Sequence, residues 1–189
     1  GQFVLLLILV PAFGIMSTKA LFTTNRLGLQ IVRSVLMVGT TAFNFLALEY
    51  LRLDQTITIV FLAPLMVALL AGPLLGEWVG RRRLIAIFVG FVGVVIAVRP
   101  GFGAVHPAVL YAFAAMFVYA LFMLLTRHMA HVDPPLVTLF YSMFVGTFAG
   151  APFAFAEWQT PPDLISLILL SLLGILGGTG HWLFIHAYR

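Results

Sequence analysis

Seven long stretches of this chain carry no aspartate, glutamate, lysine or arginine, and that feature restricts its folding more than any other. They run Gly1–Thr18, Ser34–Leu48, Gln55–Gly76, Leu84–Val98, Pro100–Thr126, Pro134–Ala156 and Leu164–Tyr188. About 20 apolar helical residues cross the roughly 30 Å hydrocarbon core of a bilayer, so each run is a candidate transmembrane helix. Seven crossings use roughly 140 positions, which leaves only short connections in a chain of 189 residues. The charge inventory agrees. Only 8% of the residues are charged and 62% are hydrophobic, whereas water-soluble folds carry roughly 25% charged side chains to solvate their surface.

The two 15-residue runs, Ser34–Leu48 and Leu84–Val98, rise only about 22 Å as helices. Arg33, Glu49, Arg83 and Arg99 are therefore expected on those same helices, with their charged ends drawn back to the headgroups. Every charge then sits at or beyond the end of a span, and none lies deep in the membrane. Pro107, Pro134 and Pro161 fit first helical positions, with Asp133 and Thr160 placed to cap behind two of them. Thr160 to Asp163 also has capping-box spacing. The continuous runs lack the alternating polarity of a lipid-facing β-barrel. The expected fold is an all-α integral membrane protein, a polytopic transmembrane helix bundle with seven spans.

Basic residues orient it. If the chain enters the cytoplasm after the first span, the inner loops hold Lys19, Arg26, Arg33, Arg81, Arg82, Arg83, Arg127 and Arg189, and the outer loops hold only Arg52 and Arg99. That asymmetry is the positive-inside pattern and sets the orientation; the expected location is the cytoplasmic (inner) membrane, as a multi-pass protein. Trp78 and Tyr188 then fall at the inner interface, and Tyr50 and Trp158 at the outer. The net charge of +4 is scattered between apolar runs and forms no phosphate-tracking groove, so nucleic acid is excluded as a partner. No cysteine is present, which removes disulfides, thiolate nucleophiles and cysteine-bound metals.

The stretch Gly39–Tyr50 can be laid on Thr179–Arg189, and these segments belong to spans an odd number of crossings apart. Related helices that run in opposite directions define an inverted repeat. The run Phe43–Leu48 followed by Glu49-Tyr50, the Leu62-Ala63-Pro64-Leu65 segment, Leu74-Leu75-Gly76-Glu77 and Gly90-x-x-Gly93-Val94 occur in order, and a second half restarts at Pro107. This ordered set resembles the EamA-like members of the drug/metabolite transporter superfamily. The resemblance implies ten helices in two inverted halves of five, and transport of small organic molecules such as amino acids, metabolites or drugs. Set beside that pattern, the seven spans resemble helices two to eight, and the chain is expected to be a fragment. Residues 1–103 would form most of the first repeat, four spans without its first helix. Residues 104–189 would begin the second, three spans without its last two.

Candidate substrate-binding residues are few. Thr41 and Asn44 lie three apart on one face near the middle of the second span, and their repeat counterparts fall around His181. They either frame a site or make interhelical hydrogen bonds, worth about 0.6 kcal/mol on average. His181 is the titratable candidate inside a span, with a neutral histidine bonded to a backbone carbonyl as the alternative. Tyr119 and Trp182 offer aromatic walls, or simple packing. Pro64, in the middle of the third span, frees a carbonyl for a cavity or hinge, or makes a static bend. The glycines at 90, 93, 146, 150, 174, 177, 178 and 180 make small-residue faces for close helix approach. Arg81–Arg83 is read as a topology lock and lipid anchor. His128, His131 and Asp133 make a poor metal site, and no phosphate loop, nucleophile elbow or zincin motif occurs.

The expected function is a carrier, exporting small organic molecules by alternating access, with no catalysis, metal or cofactor. Its partners are a small-molecule substrate and membrane lipids, with a homodimer as one option. The competing reading is a seven-helix receptor or sensor without transport. A retinal version of it fails because the single lysine, Lys19, ends the first span and not the last.

Overall fold

The computed structural model describes residues 21–78, 80–98, 106–130, 132–156 and 163–187, and all regular structure among them is helical. The helices are α1 (Leu27–Leu48), α2 (Leu53–Val60), α3 (Ala63–Leu75), α4 (Arg81–Val98), α5 (Val109–Met129), α6 (Pro135–Ala156) and α7 (Leu164–His186). Five described segments are long and apolar enough to cross a membrane: α1, α2 with α3 as Leu53–Leu75, α5, α6 and Leu164–His181 of α7. In α4 the apolar part is the shorter Leu84–Val94. The first expected span, Lys19, Arg99, the 103/104 repeat boundary, His131, Glu157, Trp158, Thr160, Pro161, Tyr188 and Arg189 lie outside the described residues.

Local chemistry explains the helix ends, and several differ from expectation. At α1 the Thr24 hydroxyl accepts the Arg26 N–H at 3.2 Å, and the first helical bond runs from Gln30 N–H to the Arg26 carbonyl at 3.2 Å. The helix therefore starts seven residues before the uncharged run, and Arg33 is an interior residue. Asp133 does not cap the helix behind it, since its carboxylate is taken by residues 24–30. Asp163 stands at the N-cap of α7 and not at the third position of a capping box, accepting the Ser166 N–H at 2.9 Å. The Ser166 hydroxyl, with that backbone bond, holds the exposed Asp163 carboxyl below its ordinary pKa. Pro107 precedes α5 by a turn, where the His106 Nδ1 accepts the Ala108 N–H at 3.2 Å. The His106 ring stacks on Tyr50 at 5.3 Å.

The third span is broken. Pro64 has no N–H for the Val60 carbonyl, and its ring crowds that carbonyl. Helix α2 accordingly stops at Val60, and the Leu62 N–H turns to Ile59 at 3.0 Å before α3 resumes at Ala63. Helix α3 closes on Gly76 in the left-handed conformation, φ 75°. There the N–H groups of Gly76 and Glu77 reach back to the Gly72 and Ala71 carbonyls. A β-carbon disfavours that conformation, so Gly76→Ala is expected to destabilise the protein by about 1 kcal/mol. Gly80→Ala, with open space around it and no positive φ, should be near neutral. Thermal unfolding of both variants in detergent checks this.

The chain divides into two compact units, one of Gly1–Val35 with Leu125–Arg189 and one of Leu36–Leu124. The first has a core of Leu21, Val137, Leu139, Phe140, Tyr141 and Met143, with Phe184 packed against it. Helices α6 and α7 are neighbours in this unit. The core of the second is built from Ala47, Ile59, Leu62, Ala63, Ala112 and Met116, half of them alanine. Alanine at the contacts lets helix backbones approach closely, which replaces hydrophobic drive where the outer solvent is lipid. Gly90 serves the same end, since a β-carbon there would come within 2.7 Å of Leu65. Gly93, Gly150 and Gly180 face open space and support no such contact.

Large apolar side chains cover the outside. None of the Leu164–His181 segment is buried, and Phe88, Phe153 and Leu173 are mostly exposed. Apolar surface on this scale is untenable in water and ordinary in lipid.

Candidate functional site

The feature that stands out against this apolar background is a chain of buried polar side chains in the first unit. Gln30, Arg33 and Ser34 occupy one face of α1, three and four residues apart, and each is 0% exposed. Thr138 and Ser142 occupy one face of α6, four apart, and Thr126 lies near the end of α5; all are buried. Arg33 sits at the seventh residue of α1, about 9 Å along the helix from its start. Its Nε donates to the Thr126 hydroxyl at 2.8 Å, and its Nη1 to the Ser142 hydroxyl at 2.5 Å and the Thr138 carbonyl at 3.4 Å. Arg33 therefore does not snorkel to the headgroups. Three hydrogen bonds from two neighbouring helices draw its guanidinium inward, and a charged side chain does lie inside a span.

Asp133 anchors the other end of the chain. Its carboxylate accepts the Thr24 hydroxyl, the Asn25 N–H at 3.1 Å and the Gln30 amide at 2.9 Å. Burial alone would raise its pKa, but the hydrogen bonds from Thr24, Gln30 and Asn25 outweigh burial and hold the carboxyl below its ordinary value. The Gln30 amide donates also to the Thr138 hydroxyl at 3.2 Å, so Asp133, Gln30, Thr138 and Arg33 form one connected series. Ser142 completes it by donating to the Thr138 carbonyl at 2.8 Å. The segment before α1 is held alongside, with the Tyr141 hydroxyl donating to the Phe22 carbonyl at 2.9 Å.

The sequence-derived candidates fall into two sets. In the first unit, His181 is half-buried and its ring stacks on Phe184 at 6.1 Å. The Trp182 side chain lies outside what the structure describes. In the second unit, Thr41 is exposed and donates to the Met37 carbonyl at 3.2 Å within its own helix, so its hydroxyl does not tie two helices together. Asn44 is half-buried on the same helix. Tyr119 is half-buried against the Ala112 and Met116 core, stacked on Phe122 at 6.0 Å. Pro64 is exposed and stands where the third span breaks.

Sequence reading passed over Gln30, Thr126, Thr138 and Ser142, and turned Arg33 outward to the headgroups. One signal was available: polar residues at helical spacing, 30-33-34 and 138-142, inside otherwise apolar segments. Starting the span after the last charge hid it. Among the described residues no group of histidine and acidic side chains could hold a metal. The arrangement can keep a fixed positive charge and several hydroxyls within a bilayer, which is expensive and characteristic of proteins that pass polar cargo through the membrane.

These features define a polytopic helical membrane protein with a buried polar series inside its bundle. The model of the EamA-like transporter family matches the chain twice, over residues 1–99 and 106–189, and the chain belongs to that family. It is similar to the S-adenosylmethionine uptake transporter of Rickettsia prowazekii, 27% identical over 178 residues, covering 94% of this chain and 58% of that protein. The protein of the same name from Rickettsia bellii is 30% identical over 175 residues, covering 92% and 58%. The riboflavin transporter of Vibrio cholerae is 24% identical over 184 residues, covering 97% and 62%. The chain thus spans 58–62% of the length of these curated relatives. They are transporters and not enzymes. No solved structure matches the chain.

Proposed function

We propose that this chain belongs to a carrier for small organic molecules in the cytoplasmic (inner) membrane, operating by alternating access. Two inverted halves meeting near residues 103 and 104 rock about a substrate, seven of their spans lying in this chain. The observation that carries the reading is the double family match, 1–99 and 106–189, which supports a duplicated architecture. The buried charge on α1 adds to it, because an ionisable group inside a span is seldom accidental.

Thr41, Asn44, Pro64, Tyr119, His181 and Trp182 are proposed to meet substrate. Relatives named for S-adenosylmethionine and riboflavin make polar, ring-bearing metabolites the first compounds to try. Export is the direction that the family resemblance implies, whereas the Rickettsia relatives are named for uptake. Flux is therefore measured both ways, in right-side-out and inverted vesicles carrying the complete protein. Saturable flux of a labelled metabolite is expected. Asn44→Ala and Trp182→Ala should each reduce it severalfold at unchanged membrane expression. Unchanged flux in both variants removes these residues from the site, and absence of flux for a broad metabolite panel overturns the carrier reading.

A further inference from the structure

The Asp133 carboxylate gathers its hydrogen bonds across a wide separation in sequence. Among the described residues, every donor to it belongs to residues 24–30, at the start of α1, while Asp133 itself sits in the turn between α5 and α6. The Asn25 side chain also donates to the Val132 carbonyl of that turn at 3.3 Å. Apolar contacts flank the polar ones: Leu21 is fully buried in the α6 cluster, and the Phe22 ring meets Phe140 edge-on at 4.7 Å. By the positive-inside pattern, both segments lie at the cytoplasmic ends of their helices. One belongs to the first half of the chain and the other to the second.

We propose that Asp133, Thr24, Asn25 and Gln30 form an interhalf clasp that holds the cytoplasmic side of the carrier shut and releases when that side opens. The inference rests on the two-half reading above. A contact that joins the two halves at one membrane face must break if they separate there, and these bonds are confined to one face. One group in the clasp is also poised for release. The Gln30 amide oxygen is buried, and no described residue donates to it. Opening would bring water to that oxygen, and the bonds it gains there offset part of those the carboxylate loses. Arg33, further along α1, ties the same helices deeper in the membrane through Thr126, Thr138 and Ser142, so the clasp is the outer member of a ladder.

Because the described chain has no cysteine, a single introduced thiol reports opening. Ser34 is fully buried and donates to the Gln30 carbonyl of its own helix, at 2.7 Å, so Ser34→Cys makes a mild reporter. The complete protein, with any other cysteines replaced, is placed in inverted vesicles and labelled with a membrane-impermeant maleimide from the cytoplasmic side. Asp133→Asn keeps the size of the side chain, removes the charge and replaces one acceptor by a donor that faces Gln30. It is expected to raise the labelling rate about tenfold, the shift in open population that loss of a few such bonds produces. Thr24→Val with Asn25→Ala removes the partners from the other side and should act alike, which covers the case in which Asp133→Asn fails to reach the membrane. Labelling of both variants at the wild-type rate overturns the clasp. The assay needs no substrate, so that result leaves the carrier reading standing, and absence of flux leaves the clasp standing.

Discussion

Arg33→Met is expected to cut transport at least about tenfold while leaving the melting temperature of the complete protein in detergent within a few degrees of wild type. Arg33 is fully buried, held by the Thr126 and Ser142 hydroxyls and the Thr138 carbonyl. Its hydrogen bonds stabilise the packing of α1, α5 and α6, but the desolvation cost of a guanidinium opposes them. For buried charges, replacement by an apolar side chain of similar length is often neutral or stabilising. Methionine fills the space flexibly, and Ser142 keeps its bond to the Thr138 carbonyl. Stability alone therefore does not explain an arginine here, and the expected loss of flux is the test of a role in transport. Arg33→Lys keeps the charge but not the planar fork that reaches Thr126 and Ser142 together, and should fall between the two. Vesicle flux and detergent melts on the same preparations decide the matter. A deep fall in melting temperature that accounts for the lost flux would make Arg33 a folding residue.

Phe140→Ala is expected to be the most destabilising single truncation in the first unit. Phe140 is 0% exposed, with the rings of Phe22, Tyr141 and Phe144 around it at 4.7, 5.5 and 5.9 Å. In a membrane the transfer contribution shrinks, because lipid is as apolar as the core. What remains is the cavity, on the order of 100 Å³ at about 24 cal/mol per Å³, or about 2 kcal/mol. Phe153→Ala, on the same helix but 77% exposed, leaves no cavity and should be near neutral. Equilibrium unfolding in mixed micelles compares the two, and equal effects would mean that the aromatic cluster is not a packed core.

Helices α5, α6 and α7 were legible because their apolar runs are long and their flanks carry the charges or turn residues that end them. The third span was legible as a run, and the proline that breaks it was legible at Pro64, since a missing N–H acts locally whatever packs around it. Asp163 was legible as a capping residue, though not at its position. The polar chain was hidden for the opposite reason. Whether an arginine near a span end turns outward to headgroups or inward to a neighbour depends on what that neighbour offers. Thr126 and Ser142 are 93 and 109 residues away from Arg33 along the chain. Asp133 was misplaced for the same cause, a distant Thr24 and Gln30 outcompeting the nearby helix start.

Hydrophobic run length and the placement of charges determined, from sequence alone, that this is a helical protein of the membrane, because the bilayer imposes one requirement on every residue that enters it. Only the tertiary structure decided which polar groups point inward and whom they bind, because a buried hydrogen bond depends on two side chains meeting at about 3 Å, and that meeting is settled by packing between helices and not by the pattern within any one of them.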